Sequence, residues 1–254
     1  MTTPRLYLPR PLEKGASYAA AADQARYLKT VLRMKEGDPV LIFNGTGREY
    51  EAVIRRQTVE EVELEVIGSR LLPAVGIHVT LCQAVPKADK MDGIIRHATE
   101  LGAERIIPFF AERSVPRWQP DQLSRKRERW RKIAVEASRQ CGRSDITEIG
   151  EIVTFEWMLR NVPESGLKLI PWEEETARGI REVLRDPARS DIRDFTLAIG
   201  PEGGFSVEEI EGARRTGFLS VSLGKRVLRV ETASLAVLAI LQYEKGGEQD
   251  ESHE

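Results

Sequence analysis

The sequence predicts an α/β protein, a small β domain followed by a larger domain on a mostly parallel sheet. Three observations carry this prediction. Short strand-like runs crowd the chain before residue 72, whereas after residue 77 such runs alternate with helical periodicity, the pattern of parallel α/β sheets. Two glycine-bearing turns, Gly200-Pro201-Glu202-Gly203-Gly204 and Leu223-Gly224, also follow strand-like runs, at the edge where such sheets take ligands.

In the first part, Pro39–Phe43 and Glu49–Ile54 are short runs separated by Asn44-Gly45-Thr46-Gly47, and Asn-Gly in that place predicts a hairpin. Val62, Leu64 and Val66 alternate with Glu61, Glu63 and Glu65, a strand with one wet face. Asp23–Arg33 reads as one short helix. The stretch Leu71–Val85, with Pro73 and Gly76, reads as a linker running into the first strand of a second domain, so the domains are set at 1–72 and 73–246.

In the second part, Ile77–Val85 reads as a buried strand, and Met91, Ile94, Ile95, Ala98 and Leu101 fall at helical spacing before the stop at Gly102. Arg105–Phe110 is strand-like. A helix over 121–141 is striped by Trp130, Ile133, Ala134, Ala137 and Cys141. Strands at Leu167–Ile170, Phe195–Ile199 and Val221–Leu223, and helices at 174–185 and Glu231–Tyr243, complete the alternation. The acidic tail 247–254 is expected to be disordered.

Composition narrows the function classes. The 254 residues are 41% hydrophobic and 31% charged, ordinary for a globular protein, and hold no apolar run of the roughly 18 residues that span a membrane. The first residues, MTTPRLYLPRPLEKG, lack the apolar core of an export signal, which implies a cytoplasmic protein. Cys82, Cys141 and three scattered histidines form no metal spacing, so no metal is expected. The net charge of −2 is uneven: +4 over residues 1–56, +5 over 86–145 and −8 over 146–254. A polyanion could dock on the first half; chance asymmetry is the plainer reading.

The turn at 200–204 lies before Ser206 and Glu209, a capping box that starts a helix near Val207. Its glycines permit close backbone approach to a ligand, and the absence of a Lys-Ser/Thr pair together with the presence of Glu202 argues against a phosphate. The turn could also be a mere tight connection. The helix that opens Ala233-Ser234-Leu235-Ala236-Val237-Leu238-Ala239-Ile240-Leu241 is apolar almost all round, which requires burial on every side, in a core or at a subunit interface.

IGPEGG (199–204) and LGKRVLRVETA (223–233) resemble the SPOUT (α/β-knot) methyltransferases. With VLRMKEGD (31–38), KADKMDGIIRHATELGAERIIPF (87–109), ERS (112–114) and EASRQCGR (136–143) in the right order, the chain resembles the RsmE family of small-subunit (16S) ribosomal RNA uridine N3-methyltransferases. Tyr27 departs from the pattern, which has a histidine before the VLR piece. The resemblance implies a PUA-like β-barrel followed by an α/β trefoil-knot methyltransferase domain, a homodimer formed through that domain, and S-adenosyl-L-methionine as cofactor. Knots are too rare for periodicity to predict one. The implied partner is ribosomal RNA or the small ribosomal subunit. Around the cofactor the resemblance places three loops, with Pro171 and Trp172, with Gly200, Glu202 and Gly203, and with Leu223, Gly224, Val227 and Leu228.

Chemistry then suggests Arg229 to stabilise negative charge on the uracil carbonyls, with Glu231 orienting it or taking the proton from N3; a structural ion pair is the alternative. Arg5, Arg10, Arg33, Arg113, Arg139 and Arg143 are candidate RNA contacts, as is the run 125–132, which could equally be a solvated helix face. Three rival readings remain: a SPOUT enzyme acting on another RNA or on a ribose 2'-hydroxyl, a non-catalytic RNA-binding protein, and a nucleotide hydrolase, the last disfavoured by the missing phosphate-loop lysine.

Overall fold

The computed structural model describes residues 3–59, 61–72, 76–116 and 118–247. The chain divides into two compact units, Met1–Ala74 with Ser138–Ile146, and Val75–Ala137 with Thr147–Glu254. The expected boundary at 72/73 runs into 73–75, and of the expected disordered tail, 247–254, only Gly247 is described; residues 73–75 and 248–254 are outside the described residues.

The first unit contains β1 (Arg5–Tyr7), β2 (Ser17–Ala19), α1 (Ala22–Arg26), β3 (Pro39–Phe43), β4 (Arg48–Gln57) and β5 (Val62–Leu71). They form one sheet in the order β1-β3-β4-β5-β2, with only the β1–β3 pair parallel. The hairpin at Asn44-Gly45 forms, Phe43 facing Glu49. Thr46 donates through its N–H and hydroxyl to Asn44 Oδ1, at 3.3 and 2.6 Å, which closes the turn. Val62, Leu64 and Val66 are fully buried and join Leu6, Leu28, Ile42 and Ile54 in the core. The helix expected over 23–33 is corrected: α1 passes into a π-helical turn at Tyr27–Val31, and Arg33 leaves it with φ 54°.

The second unit contains β6 (His78–Ala84), α2 (Lys90–Glu100), β7 (Arg105–Phe110), α3 (Pro120–Cys141, its last turn counted with the first unit), β8 (Glu148–Ile149) and β9 (Val153–Thr154). It continues with α4 (Phe155–Asn161), β10 (Leu167–Pro171), α5 (Ile180–Leu184), β11 (Asp194–Ile199), α6 (Val207–Arg215), β12 (Phe218–Val221) and α7 (Val230–Lys245). The strands run parallel in the order β12-β10-β11-β6-β7-β8, with β9 also on β7. Leu81 and Cys82, which point to opposite faces of β6, are both fully buried, so both faces of the sheet are covered. One face packs Cys82, Ala84, Ile107 and Phe109 against Phe155 and Met158 of α4 and Ile210 of α6.

Three expectations need correction here. The helix expected over 174–185 is only Ile180–Leu184, because Glu175 accepts the Ala177 N–H at 2.9 Å and a short hydrogen bond from the Ser220 hydroxyl, holding that stretch as a turn. The last strand lies at Phe218–Val221, earlier than expected. Most consequentially, the alternative of a helix buried all round in its own core fails for α7, because this chain alone does not cover it on every side. Val230, Ser234, Val237, Leu238 and Leu241 are buried, but Ala239 is exposed, Leu235, Ala236 and Ile240 are half-buried, and Tyr243 is 83% exposed.

Candidate functional site

Loops at the carboxyl ends of four adjacent parallel strands, β12, β10, β11 and β6, surround one cavity of about 420 Å3. That is the edge at which open α/β sheets bind ligands, and the volume falls in the roughly 300–1,000 Å3 range of small-molecule sites. A wider groove of about 1100 Å3 follows α2 and α3 and takes in most of the basic run 125–132. Its lining is helix-borne charge turned to solvent, much of it paired within the groove or nearby, as in Arg129 with Asp92 at 2.5 Å and Arg127 with Glu151 at 2.7 Å. The strand-edge cavity is therefore the candidate site.

The turn after β11 is rigid for identifiable reasons. Gly204 has φ +67°, and a Cβ there would stand 3.2 Å from Glu173 Oε1, so a side chain would meet both backbone strain and crowding. Ser206 caps α6: its hydroxyl accepts the Glu209 N–H at 3.3 Å while Glu209 Oε2 accepts the Ser206 N–H at 3.0 Å. The other Glu209 oxygen accepts the Glu112 N–H at 2.9 Å, so the capping box also anchors the strand-end loop after β7. After β12, Gly224 at φ +110° turns the chain towards α7. The start of α7 is fastened to the sheet by a buried pair, Ser234 Oγ donating to Gln83 Oε1 on β6 at 2.6 Å.

Trp172, after β10, donates its N–H to the Val221 carbonyl at 3.1 Å, and its ring lies under the Arg214 guanidinium at 5.5 Å. Arg214 is held in turn by Ser220 at 2.8 Å and Glu175 at 3.3 Å. The hydrogen bond from Ser220 is the main reason the Glu175 carboxyl lies below its ordinary range.

Of the sequence candidates for cofactor contact, Pro171, Trp172, Gly200, Glu202, Leu223, Gly224, Val227 and Leu228 line the cavity. Gly203 is not among the lining residues; its carbonyl accepts from Arg113 Nη1 at 2.9 Å. Arg229 and Glu231 also line the cavity. The alternative of an Arg229–Glu231 ion pair is not what forms: Glu231 pairs with Lys90, whose Nζ lies 3.3 Å from Glu231 Oε2 and 3.0 Å from Glu202 Oε1. Lys90 was missing from the sequence candidates, although the strand-edge rule that singled out 200–204 applies equally to the loop after β6.

The candidate RNA contacts divide. Arg10 and Arg33 are exposed on the first unit, and Arg113 is exposed on the second. Arg5 is not a free surface cation: its guanidinium pairs with buried Glu49 at 3.0 Å and donates to Ser144 Oγ at 2.9 Å and the Arg143 carbonyl at 3.2 Å. Arg143, its side chain 12% exposed, is bound to Asp145. Arg139 lies over the Tyr27 ring at 5.4 Å, so the departure at residue 27 still presents an aromatic face. Among the described residues no three His, Cys, Asp or Glu side chains gather as a metal site would require, and no helix is long and apolar enough to cross a membrane.

Comparison with known proteins bears on this geometry. A family model described as an RNA methyltransferase domain matches residues 74–242, and an RNA methyltransferase PUA domain matches 21–67. The chain is 30% identical to the ribosomal RNA small subunit methyltransferase E of Bacillus subtilis, over 92% of each chain. The chain belongs to the ribosomal RNA small subunit methyltransferase E family. Another family member, from Neisseria gonorrhoeae, has a crystal structure bound to S-adenosyl methionine; it superposes with a TM-score of 0.86 at 28% identity, over 95% of this chain and 98% of that one. A Legionella pneumophila protein in complex with bound SAM superposes at 0.85 with 32% identity, over 96% and 98%. The family thus supplies the PUA-like first domain and the α/β methyltransferase domain that the motifs implied.

Proposed function

We propose that this chain is an S-adenosyl-L-methionine-dependent methyltransferase that modifies N3 of a uridine in small-subunit (16S) ribosomal RNA. The observation that carries the reading is the cavity built by four strand-end loops, within the segment matched by the RNA methyltransferase model. Its donor set suits the cofactor. Backbone of 171–173, 199–202 and 222–224 can read an adenosine, Leu223, Val227 and Leu228 offer an apolar wall, and the carboxylates of Glu202 and Glu231 suit the cationic sulfonium and ammonium groups of the cofactor. Bound there, the cofactor supplies an electrophilic methyl group on a sulfonium.

The residues of the chain have separate tasks in this reading. Arg229, exposed at the N-cap of α7, meets negative charge developing on the uracil carbonyls. Glu231 accepts the N3 proton; its Oε2 is buried and lies off the line of a hydrogen bond from Lys90, so it keeps acceptor capacity. N3 lies on the pairing edge of the base, so the target uridine is unpaired or flipped out when it reacts. Residues 1–72 bind RNA, with Arg10 and Arg33 as phosphate contacts, and Arg113 serves from the domain at 73–246.

The protein works as a cytoplasmic homodimer whose second domain is a trefoil knot. The half-covered apolar stripe of α7, Leu235, Ala236, Ala239, Ile240 and Tyr243, supports pairing of two copies through that helix. Calorimetry with S-adenosylmethionine separates this enzyme from a non-catalytic RNA-binding protein, for which no heat of binding is expected. In a methyl-transfer assay, Arg229→Ala should lose at least about tenfold in kcat with cofactor affinity retained; an unchanged rate would remove Arg229 from the mechanism.

A further inference from the structure

Glu202 and Glu231 lie far apart in sequence, on the turn after β11 and at the start of α7, yet one cation joins them. Lys90 is the first residue of α2, and its Nζ reaches Glu202 Oε1 at 3.0 Å and Glu231 Oε2 at 3.3 Å. The preceding loop reinforces the clamp: the Lys87 N–H stands 3.2 Å from each Glu202 oxygen. Between Lys87 and Lys90 the backbone at Ala88 takes φ 55°, a left-handed conformation unfavourable for a side-chain-bearing residue and typical of functional loops. All three side chains are partly exposed, at 34% for Lys90, 23% for Glu202 and 33% for Glu231. Each lines the cavity.

From this geometry we infer that Lys90 is a positioning residue for methyl transfer, holding Glu231 in place to receive the proton of the acceptor nitrogen while Glu202 anchors the lysine. The inference rests on the proposed uridine N3 chemistry. In the transfer the N3–carbon bond forms, the carbon–sulfur bond breaks with its electron pair staying on sulfur, and the N3 proton passes to the Glu231 carboxylate and on to water. Lys90 stays protonated throughout. Two carboxylates on one lysine have a purpose in this scheme. When Glu231 is neutralised, the Lys90–Glu202 pair remains, so neither the cation nor the loop loses its partner. Removal of either carboxylate alone therefore has unequal effects: Glu231 is the reacting group, Glu202 the anchor.

The direction of the titrations agrees. The side-chain hydrogen bond to Glu202, and secondarily the nearby Glu231 carboxylate, raises Lys90 above its ordinary value. The Glu231 carboxyl is lowered, first by its own backbone N–H at the start of α7 and then by Lys90, against the opposing effect of burial. Lys90→Met should therefore raise the Glu231 titration midpoint.

The test uses the full chain with Lys90→Met and Lys90→Arg, and two readouts. Carboxyl carbon NMR of the cofactor-free protein follows the Glu231 midpoint, assigned through Glu231→Gln. Methyl transfer to small-subunit ribosomal RNA at saturating S-adenosylmethionine gives kcat against pH. Lys90→Met should move the Glu231 midpoint upward, lower kcat about 10- to 100-fold and shift the acid limb of the profile to higher pH, with Lys90→Arg restoring most of each. An unmoved Glu231 midpoint overturns the inference. So does a Lys90→Met enzyme with wild-type kcat and an unshifted limb, even if its cofactor affinity falls, for then the lysine is only a loop clamp. A wild-type protein that transfers no methyl group would instead overturn the proposed function, and the NMR midpoint would still decide whether Lys90 controls Glu231.

Discussion

Replacing Ser234 with alanine removes the hydroxyl that ties α7 to β6. In the folded protein Ser234 and Gln83 are both fully buried, with Ser234 Oγ 2.6 Å from Gln83 Oε1 and the Val230 carbonyl 2.9 Å away on the same helix. Gln83 Nε2 is already engaged with the Ala84 carbonyl at 2.9 Å, so the side chain has little reason to turn over and recover a partner. Ser234→Ala therefore strands a buried amide oxygen, a cost of about 1–3 kcal/mol. Alanine's better helix propensity returns about 0.5 kcal/mol. The net expectation is a destabilisation of about 1–2 kcal/mol, or a Tm lower by about 2–8 °C for a chain of this size. Calorimetric melting and urea unfolding of Ser234→Ala, Gln83→Met and the double variant measure it. Because removing both partners costs less than the two single losses together, the cycle should return a coupling near 1 kcal/mol. A melting temperature unchanged within about 1 °C, or single losses that simply add, would show that the Ser234–Gln83 contact does not hold α7 to β6.

Three further expectations follow from named contacts. Arg5→Met leaves Glu49, its side chain 4% exposed, with Arg70 as its remaining ion partner among the described residues, so stability should fall by about 1.5–3 kcal/mol in denaturant unfolding; the salt dependence of RNA binding should stay unchanged, whereas Arg33→Ala should reduce its logarithmic slope by about 1. Glu175 is held below its ordinary 4.5 chiefly by Ser220, so its contribution to stability is complete above that pH and is lost as pH falls through the lower folded value. The melting-temperature gap between wild type and Ser220→Ala should accordingly be widest near neutrality and narrow on acidification. On the proposed pairing through α7, the wild type should sediment as a dimer and Ile240→Asp, on the half-covered side of that helix, as a monomer at the same concentration.

Much of this architecture was legible because the informative segments are long and regular. Arg105–Phe110 is apolar enough to specify a strand from end to end, and the Ser206–Glu209 pair fixed the start of α6. The cavity was legible in part because one physical rule, ligands at the carboxyl edge of parallel strands, points at any glycine-bearing turn placed there. What escaped has a common cause. Lys90, Arg5 and Glu175 look like ordinary surface charges until the fold brings partners from 202, 231, 49 and 220 to meet them. The two-residue strands β8 and β9 are too short to show a period, and the π-helical turn at Tyr27–Val31 breaks a pattern that periodicity assumes is continuous. The exposed stripe of α7 was invisible for the opposite reason: its sequence is apolar on every side, and only packing reveals which side the chain covers itself.

Identifying the methylated nucleoside decides whether this chain is a uridine N3-methyltransferase. Small-subunit ribosomal RNA lacking the modification is incubated with the protein and isotopically labelled S-adenosylmethionine, then digested to nucleosides and resolved by mass spectrometry. The expected result is a single labelled product, 3-methyluridine, reduced in step with kcat for Arg229→Ala and Lys90→Met. Label found only on a ribose 2'-oxygen or another base, or none at all from a protein that binds the cofactor, would contradict it.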